Sequence, residues 1–300
     1  MTVRVAYLAS AGTLPGSPAR RGDAFEHDRM VDALRPPLAA RGIELVEIDW
    51  RAPLADFDGM ALALIGTPWD YQDRAEEFLA RLAALEARGI PVMNRPAVVR
   101  WNIDKTYLRD LASRGAPVIP TLWVDDAGPA DILAALDRFG TASVVVKRQV
   151  GAGAEGQHRF SRDDPPPGGW RMGRAAMIQP FLPAIVEEGE ISMIFIAGVF
   201  SHALRKRAAA GDYRIQSLFG GREEAFAPSA AELAQAGAVL AALPFPAPPV
   251  ARIDMIRLPE GAPGGGLAVM EAELIEPYLY PDHGPGLGER LAAAVEERLG

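Results

Sequence analysis

Three acids near the end of the chain restrict its fold more than any other feature. Glu271 and Glu273 stand two residues apart in Leu267-Ala-Val-Met-Glu-Ala-Glu-Leu-Ile275, and Asp254 stands in Val250-Ala-Arg-Ile-Asp-Met-Ile-Arg257. Both stretches read as strands, and a strand sends alternate side chains to one face. Glu271 and Glu273 therefore project together, as do Arg252 and Asp254. Three carboxylates facing one space repel one another unless a cation sits among them, and all-oxygen ligation suits a hard ion such as Mg²⁺. The plainer alternative is an exposed edge strand that carries acids. Against it, Val269, Met270, Leu274 and Ile275 flank the acids and ask for burial of the other face.

A lysine far upstream adds a second constraint. Lys147 ends the apolar strand Ser143-Val-Val-Val-Lys147 and precedes Gly151-Ala-Gly153-Ala-Glu-Gly156. Lysine is a compact point charge suited to phosphate oxygens. The glycine run matches G-x-G-x-x-G by letter, but a dinucleotide fingerprint must open a helix. Here Gln157-His-Arg-Phe160 comes next, and then Asp163-Asp-Pro-Pro-Pro167, which cannot be helical. No Walker A loop is present. A hairpin whose backbone N–H groups cover phosphates fits, because glycine lets backbone approach closely; a plain glycine hairpin is the alternative. Most strand-end lysines are merely solvated, and Lys147 gains weight from its position after three valines; Lys105, in Trp101-Asn-Ile-Asp-Lys-Thr-Tyr, is a weaker signal by itself. Phosphates, magnesium and a nearby arginine together describe an ATP-using enzyme.

Composition narrows the rest. Three hundred residues exceed what one hydrophobic core usually serves, so two or three lobes are expected. A net charge of −8 argues against a nucleic-acid surface, which needs dense Lys and Arg. With no cysteine, disulfides, a thiol nucleophile and thiolate zinc sites are excluded. The four histidines show no metal-ligand spacing. The first residues form a short strand pattern without a signal-peptide core, and no apolar run reaches about 18 residues. The expectation is a cytoplasmic protein without a membrane partner; a homo-oligomer remains compatible with the sequence.

Along residues 1–100 strand and helix signals alternate: a strand at Val3–Leu8, a helix over Ala24–Arg41 that Pro36-Pro37 should kink or split, strands at Ile43–Ile48 and Ala61–Ile65, an amphipathic helix over Arg74–Arg88, and a strand at Ile90–Met93. This βαβα alternation predicts a Rossmann-like parallel sheet. A second unit, 101–180, should hold a helix over Asn102–Arg114, strands at Val118–Trp123, Ser143–Lys147 and Gly156–Phe160, and a helix over Pro129–Phe139. A third, 181–300, should hold strands at Glu190–Ile196, Val199–Arg207 and Tyr213–Leu218. Its helix opens with the capping box Ser229-Ala-Ala-Glu232, the acid-bearing strands come after it, and Gly288–Leu299 ends the chain as a helix. Gly264-Gly-Gly266 reads as a hairpin turn.

From about Asn94 to Tyr280 these residues resemble the ATP-grasp superfamily, in its glutathione-synthetase-like branch. The resemblance implies an ATP-grasp fold of mixed α/β and α+β type behind an N-terminal Rossmann-like domain. It implies that Lys105 and Lys147 bind the nucleotide phosphates under a mobile loop at Gly151, Gly153 and Gly156. Gln179-Pro180-Phe181-Leu182 matches the hinge facing adenine, and Glu190 the acid that holds the ribose. Arg252 and Asp254 match the family's R-x-D, with arginine on the transferring phosphate. Glu271 and Glu273 match the pair that, with Asp254, holds Mg²⁺.

Trp69-Asp-Tyr71, Trp101-Asn102, Arg205-Lys-Arg207 and Arg214-Ile-Gln-Ser-Leu-Phe-Gly-Gly221 resemble a bacterial subgroup that includes O-ureido-serine cyclo-ligases. That likeness implies an ATP-dependent carboxylate–amine ligase acting through an acyl phosphate on a small, amino-acid-like substrate, with ring closure of O-ureido-D-serine to D-cycloserine as the reaction. The rivals are an intermolecular ligase, a kinase on the same scaffold, and a nucleotide-binding module without turnover. Arg205, Lys206 and Arg214 are the basic candidates for the substrate carboxylate. Glu276 is a candidate for a substrate amine, and Asp23, Glu26, His27 and Asp28 are polar enough to touch substrate.

Overall fold

The structure is a computed structural model and describes residues 2–151, 156–209, 214, 220–262 and 265–300. Its first unit comprises β1 (Val3–Ala9), α1 (Phe25–Ala40), β2 (Ile43–Asp49), β3 (Leu62–Thr67), α2 (Ala75–Ala87) and β4 (Val92–Met93). The strands form a parallel sheet in the order β2-β1-β3-β4. Central β1 is apolar on both faces, as a doubly covered parallel strand must be. Val5 and Tyr7 pack with Met30, Val31, Leu34 and Leu38 of α1. Ala6 and Leu8, pointing the other way, pack with Phe78, Leu79, Leu82 and Leu85 of α2. This is the expected Rossmann-like layering.

Pro36 and Pro37 do not split α1, which runs through both. Pro37 has no N–H to offer the Ala33 carbonyl one turn back. The last helix of the chain closes over that carbonyl: a Cβ at Gly288 would lie 2.0 Å from the Ala33 oxygen. Only glycine admits this approach, so the prolines create a docking point instead of a break.

The helix expected over Asn102–Arg114 is α4 (Tyr107–Ser113), and a separate helix, α3 (Pro96–Asn102), ends where it was expected to begin. The break has a cause. The Asn102 amide donates to the Ala272 carbonyl at 2.8 Å and accepts from the Leu274 N–H at 3.0 Å. That clamp ends α3 on a distant strand and leaves Lys105 in the turn between helices. The second sheet, in antiparallel order β5-β8-β6-β7, holds β5 (Leu122–Val124), then β6 (Ser143–Arg148), β7 (His158–Ser161) and β8 (Ala176–Pro180) beyond α5 (Pro129–Phe139). Of the strand read at Val118–Trp123, residues 118–121 are not in β5, and Val118 makes only an isolated bridge to Val269.

After the short α6 (Ala184–Glu187) come β9 (Glu190–Ile196), β10 (Val199–Arg207), β11 (Arg222–Phe226), α7 (Ala230–Ala241), β12 (Val250–Arg257) and β13 (Leu267–Glu273). These strands make an antiparallel sheet ordered β11-β10-β9-β12-β13. Ser229 caps α7 as expected, its N–H donating to the Glu232 carboxylate at 2.8 Å. The strand expected at Tyr213–Leu218 and part of the Gly264-Gly-Gly266 turn lie outside the described residues. Ile191, Met193, Phe195, Ala251, Ile253 and Met255 pack with Ala236, Val239 and Leu240 of α7. Glu190, Ser192, Arg252 and Asp254 therefore face the other way, toward the second sheet. The chain ends in α8 (Leu287–Leu299), whose Leu287, Leu291, Ala292 and Val295 return to the core of the first unit. Each large apolar side chain buried there contributes roughly 2 kcal/mol. Among the described residues, no helix is long and apolar enough to cross a membrane.

Candidate active site

A β-bulge decides where the acids go. Leu267, Val269, Glu271 and Glu273 share sequence parity, so a regular strand would send both glutamates into the core under α7. The register with β12 shifts between Asp254, which opposes Glu271, and Met255, which opposes Val269. Met270 is the extra residue, and it reverses the facing of the residues after it. Val269 and Ala272 both lie in the core with α7, while Met270, Glu271 and Glu273 line a cleft of about 590 Å³. Across the ladder Arg252 opposes Glu273 and Asp254 opposes Glu271.

At this floor, charge is tightly compensated. The Arg252 Nε donates to both Asp254 oxygens at 3.0 and 3.1 Å. Its other nitrogens reach the Tyr278 carbonyl at 3.0 Å and the Glu273 carboxylate. Asp254 also accepts from the Ser192 hydroxyl and lies 3.5 Å from the Lys206 ammonium. Burial alone would raise the Asp254 carboxyl, but Arg252 and Lys206 overcome it and hold its pKa at about 2. Glu273 goes the other way: burial, reinforced by Glu271 and Asp254, pushes it well above the carboxylate range despite Arg252. Burial likewise pushes Glu190 up to about 7, although Lys206 pairs with it. Gly189, at φ +99°, permits that pairing, since a Cβ there would sit 2.4 Å from the Lys206 carbonyl. The Tyr280 ring lies 5.6 Å from the cationic groups of both Lys206 and Arg252.

The opposite wall comes from the second sheet and the turn after α3. Lys105 donates to the Gly151 carbonyl at 2.7 Å and to Glu271 at 2.5 Å, tying the glycine loop's start to the acids. Burial opposes its charge, but Glu271 outweighs this and raises its pKa. Lys147 also lines the cleft. Burial lowers its ammonium pKa, and it makes no ion pair with any described residue. Gln179, Pro180, Phe181 and Leu182 line the same cleft, with Ile256 and Met270 adding apolar wall. The cleft thus has an apolar end beside a charged one, a form suited to a ligand with a flat ring and an anionic tail.

Arg214 and Glu276 also line the cleft, as do Asp23 and Glu26. Burial pushes Glu276 to about 7. Arg205 does not line it. That guanidinium lies 3.3 Å from Glu188 and 4.8 Å from the centre of the Phe226 ring, on the face of β10 opposite Lys206. Of the three basic candidates, Lys206 and Arg214 line the cleft and Arg205 does not, because the register of β10 points Lys206 inward. His27 is buried against Thr67 at 2.6 Å and Glu47 at 2.9 Å, and Asp28 pairs with Arg20, so neither joins the cleft. Gly156 is not among the lining residues, and Gly153 lies outside the described residues. Tyr278 and Tyr280 complete the floor beside Lys206; nothing in the local sequence marks the two tyrosines as site residues.

Among the described residues, no group of three His, Cys, Asp or Glu side chains closes into a metal cage. Mg²⁺ does not require one, since it is bound through one or two carboxylates together with substrate phosphates and water. The oxygen-only donors fit it, with Asp254, Glu271 and Glu273 all lining the one cleft.

Residues 5–94 match the family described as D-cycloserine synthetase DcsG, N-terminal domain. Over 293 residues the chain is 32% identical to the cycloserine biosynthesis protein DcsG of Streptomyces lavendulae, covering 90% of this chain and 95% of that one. The crystal structure of D-cycloserine synthetase DcsG superposes with a TM-score of 0.80 at 26% identity, covering 99% of this chain and all of the other. In fold alone, the chain is similar to the ATP-grasp ligase PsnB complexed with a precursor variant, Mg and ADP (TM-score 0.67, 16% identity, both chains fully covered). A D-alanine–D-alanine ligase from Bacillus anthracis is similar in the same sense (TM-score 0.65, 17% identity, 99% and 95% covered). The fold is that of the ATP-grasp ligases.

Proposed function

The chain belongs to the D-cycloserine synthetase family of ATP-dependent ATP-grasp ligases, and from that premise we propose that it closes a ring within one substrate, O-ureido-D-serine, to give D-cycloserine. The observation that carries this is the 32% identity to DcsG over 90% of the chain. We take 1–100 as the substrate lobe, 101–180 as the small nucleotide lobe and 181–300 as the large lobe, with α8 packed back on the first.

In this reading adenine lies in the slot made by Phe181, Leu182, Ile256 and Met270, its edge toward the hinge backbone at Gln179–Leu182. Glu190 accepts from the ribose hydroxyls. Lys105, Lys147 and the glycine loop from Gly151 neutralise the phosphates, and Arg252 meets the transferring one. Asp254, Glu271 and Glu273 would hold Mg²⁺, which when bound would supply charge neutralisation at the phosphates.

The substrate carboxylate attacks the γ-phosphorus, forming the O–P bond as the bond to ADP breaks. Phosphorylation is needed because a carboxylate is a poor electrophile and oxide a poor leaving group. The oxygen-linked nitrogen of the ureido group then attacks the acyl carbonyl, and phosphate leaves. Hydrolytic loss of the carbamoyl group as carbon dioxide and ammonia completes the product. What the chain contributes is position and preset charge. Lys206 and Arg214 are the basic groups in the cleft beside the substrate carboxylate.

The test is ATP consumption with O-ureido-D-serine and no added amine. Ring closure predicts ADP and D-cycloserine in equal amounts. ADP release that depends on a second amine would instead support an intermolecular ligase.

A further inference from the structure

The acids of the cleft are not equivalent. Asp23 pairs with Arg21, Glu190 with Lys206, Glu271 with Lys105 and Glu273 with Arg252; Asp254 pairs with Arg252 and Lys206, Glu223 lies 3.4 Å from His283, and Glu26 is engaged as well. Glu276 lines the same cleft and makes no ion pair with any described residue. Arg252 and Lys105 reach it only as longer-range charges, and Glu271 opposes them. The group against its carboxylate is the Tyr71 hydroxyl.

These two residues come from opposite ends of the chain. Tyr71 opens the short 3-10 turn Tyr71–Arg74 of the first unit, and its buried ring packs 5.1 Å from that of Phe78. Glu276 lies three residues beyond the end of β13. Burial keeps the phenol protonated, so it donates its proton and orients the carboxylate. A carboxylate accepts about four hydrogen bonds, and one phenol leaves most of that capacity turned to the cleft. An incompletely compensated carboxylate in a desolvated wall is costly until a cation arrives.

We propose that Glu276 receives the α-ammonium group of the substrate, with Tyr71 as its positioning residue. This rests on the ligase reading above and adds what that reading does not assign: how an amino acid is selected over the same carboxylate without its amine. The ammonium sits one carbon from the carboxylate to be phosphorylated, and Glu276 sits three residues from Glu273. Both glutamates line one cleft, and each lies within reach of the other's charge. A hydroxy or des-amino analogue would leave Glu276 buried without its counter-charge, which rejects it.

The experiment compares kcat/KM for O-ureido-D-serine and for its des-amino analogue, 3-(ureidooxy)propanoate, in the unaltered protein, Glu276→Gln and Tyr71→Phe. Binding of a non-hydrolysable ATP analogue reports an intact fold in each. The expected result is a strong preference for the amino compound. Glu276→Gln should lower kcat/KM for that compound roughly 10- to 100-fold, the usual scale of a charge-assisted hydrogen bond, and leave the analogue unchanged. Tyr71→Phe should lower the preference by a smaller factor in the same direction. Turnover of both compounds with an unchanged preference in Glu276→Gln overturns the Glu276 assignment alone. Turnover of neither by the unaltered protein overturns the ring-closure reading and this assignment with it.

Discussion

Arg252 grips Asp254, two residues along the same strand, at 3.0 and 3.1 Å through one guanidinium nitrogen, and with the same guanidinium reaches Glu273 on the neighbouring strand. One buried cation thus holds two of the three acids that the family resemblance assigns to metal. Arg252→Ala would leave both acids buried without that charge. We expect a loss of about 3–5 kcal/mol in denaturant-induced unfolding; unchanged stability would show that the acids are solvated instead.

The Asp254 carboxyl gives a pH signature. Its pKa of about 2 lies below its ordinary 3.8, so the stabilisation it supplies is complete above about pH 4 and disappears as the pH falls toward 2. Asp254→Asn should flatten that acid limb of the stability curve and cut Mg²⁺-dependent turnover by about 100-fold or more. An acid limb unchanged in the variant would remove Asp254 as its source.

Glu276 predicts the opposite sign. Its folded pKa of about 7 exceeds the ordinary 4.5, so its stabilisation is complete below about pH 4.5 and is lost as the pH rises through 7. Without substrate, Glu276→Gln should be more stable than the unaltered protein by about 1–3 kcal/mol at pH 8 and equal to it at pH 4.5. Equal stability at both would mean that its carboxylate is compensated.

Lys147 lines the cleft with no ion-pair partner among the described residues, so its removal should cost the fold little. Lys147→Ala should weaken ATP binding by about 10- to 100-fold in calorimetry while the melting temperature holds. Unchanged nucleotide affinity would end its phosphate role.

Gly288 should tolerate no side chain, because a Cβ would meet the Ala33 carbonyl at 2.0 Å. Gly288→Ala should destabilise the protein by about 1–3 kcal/mol by forcing α8 off α1. A neutral result would show that the two helices do not meet there.

Much of this architecture was legible because local patterning and global packing agree. α5, β9 and β10 run over the residues their periodicity marks, and the alternation on β1 matches its two helical layers. What escaped the sequence depends on partners far along the chain. The break before Lys105 is made by Asn102 reaching Ala272, and the inward turn of Lys206 in place of Arg205 by the register of β10. The acids were read onto one face, yet simple alternation from Val269 would have buried that face. The bulge at Met270 places them in the cleft, and no residue type announces a bulge.

The most direct test tracks the substrate's oxygen. With ¹⁸O in both carboxyl positions of O-ureido-D-serine, an acyl phosphate formed in this cleft must pass one labelled oxygen to each phosphate released with ADP. Phosphate carrying one ¹⁸O per turnover is the predicted result. Product formed with unlabelled phosphate would contradict carboxylate phosphorylation, and with it the account of the cleft.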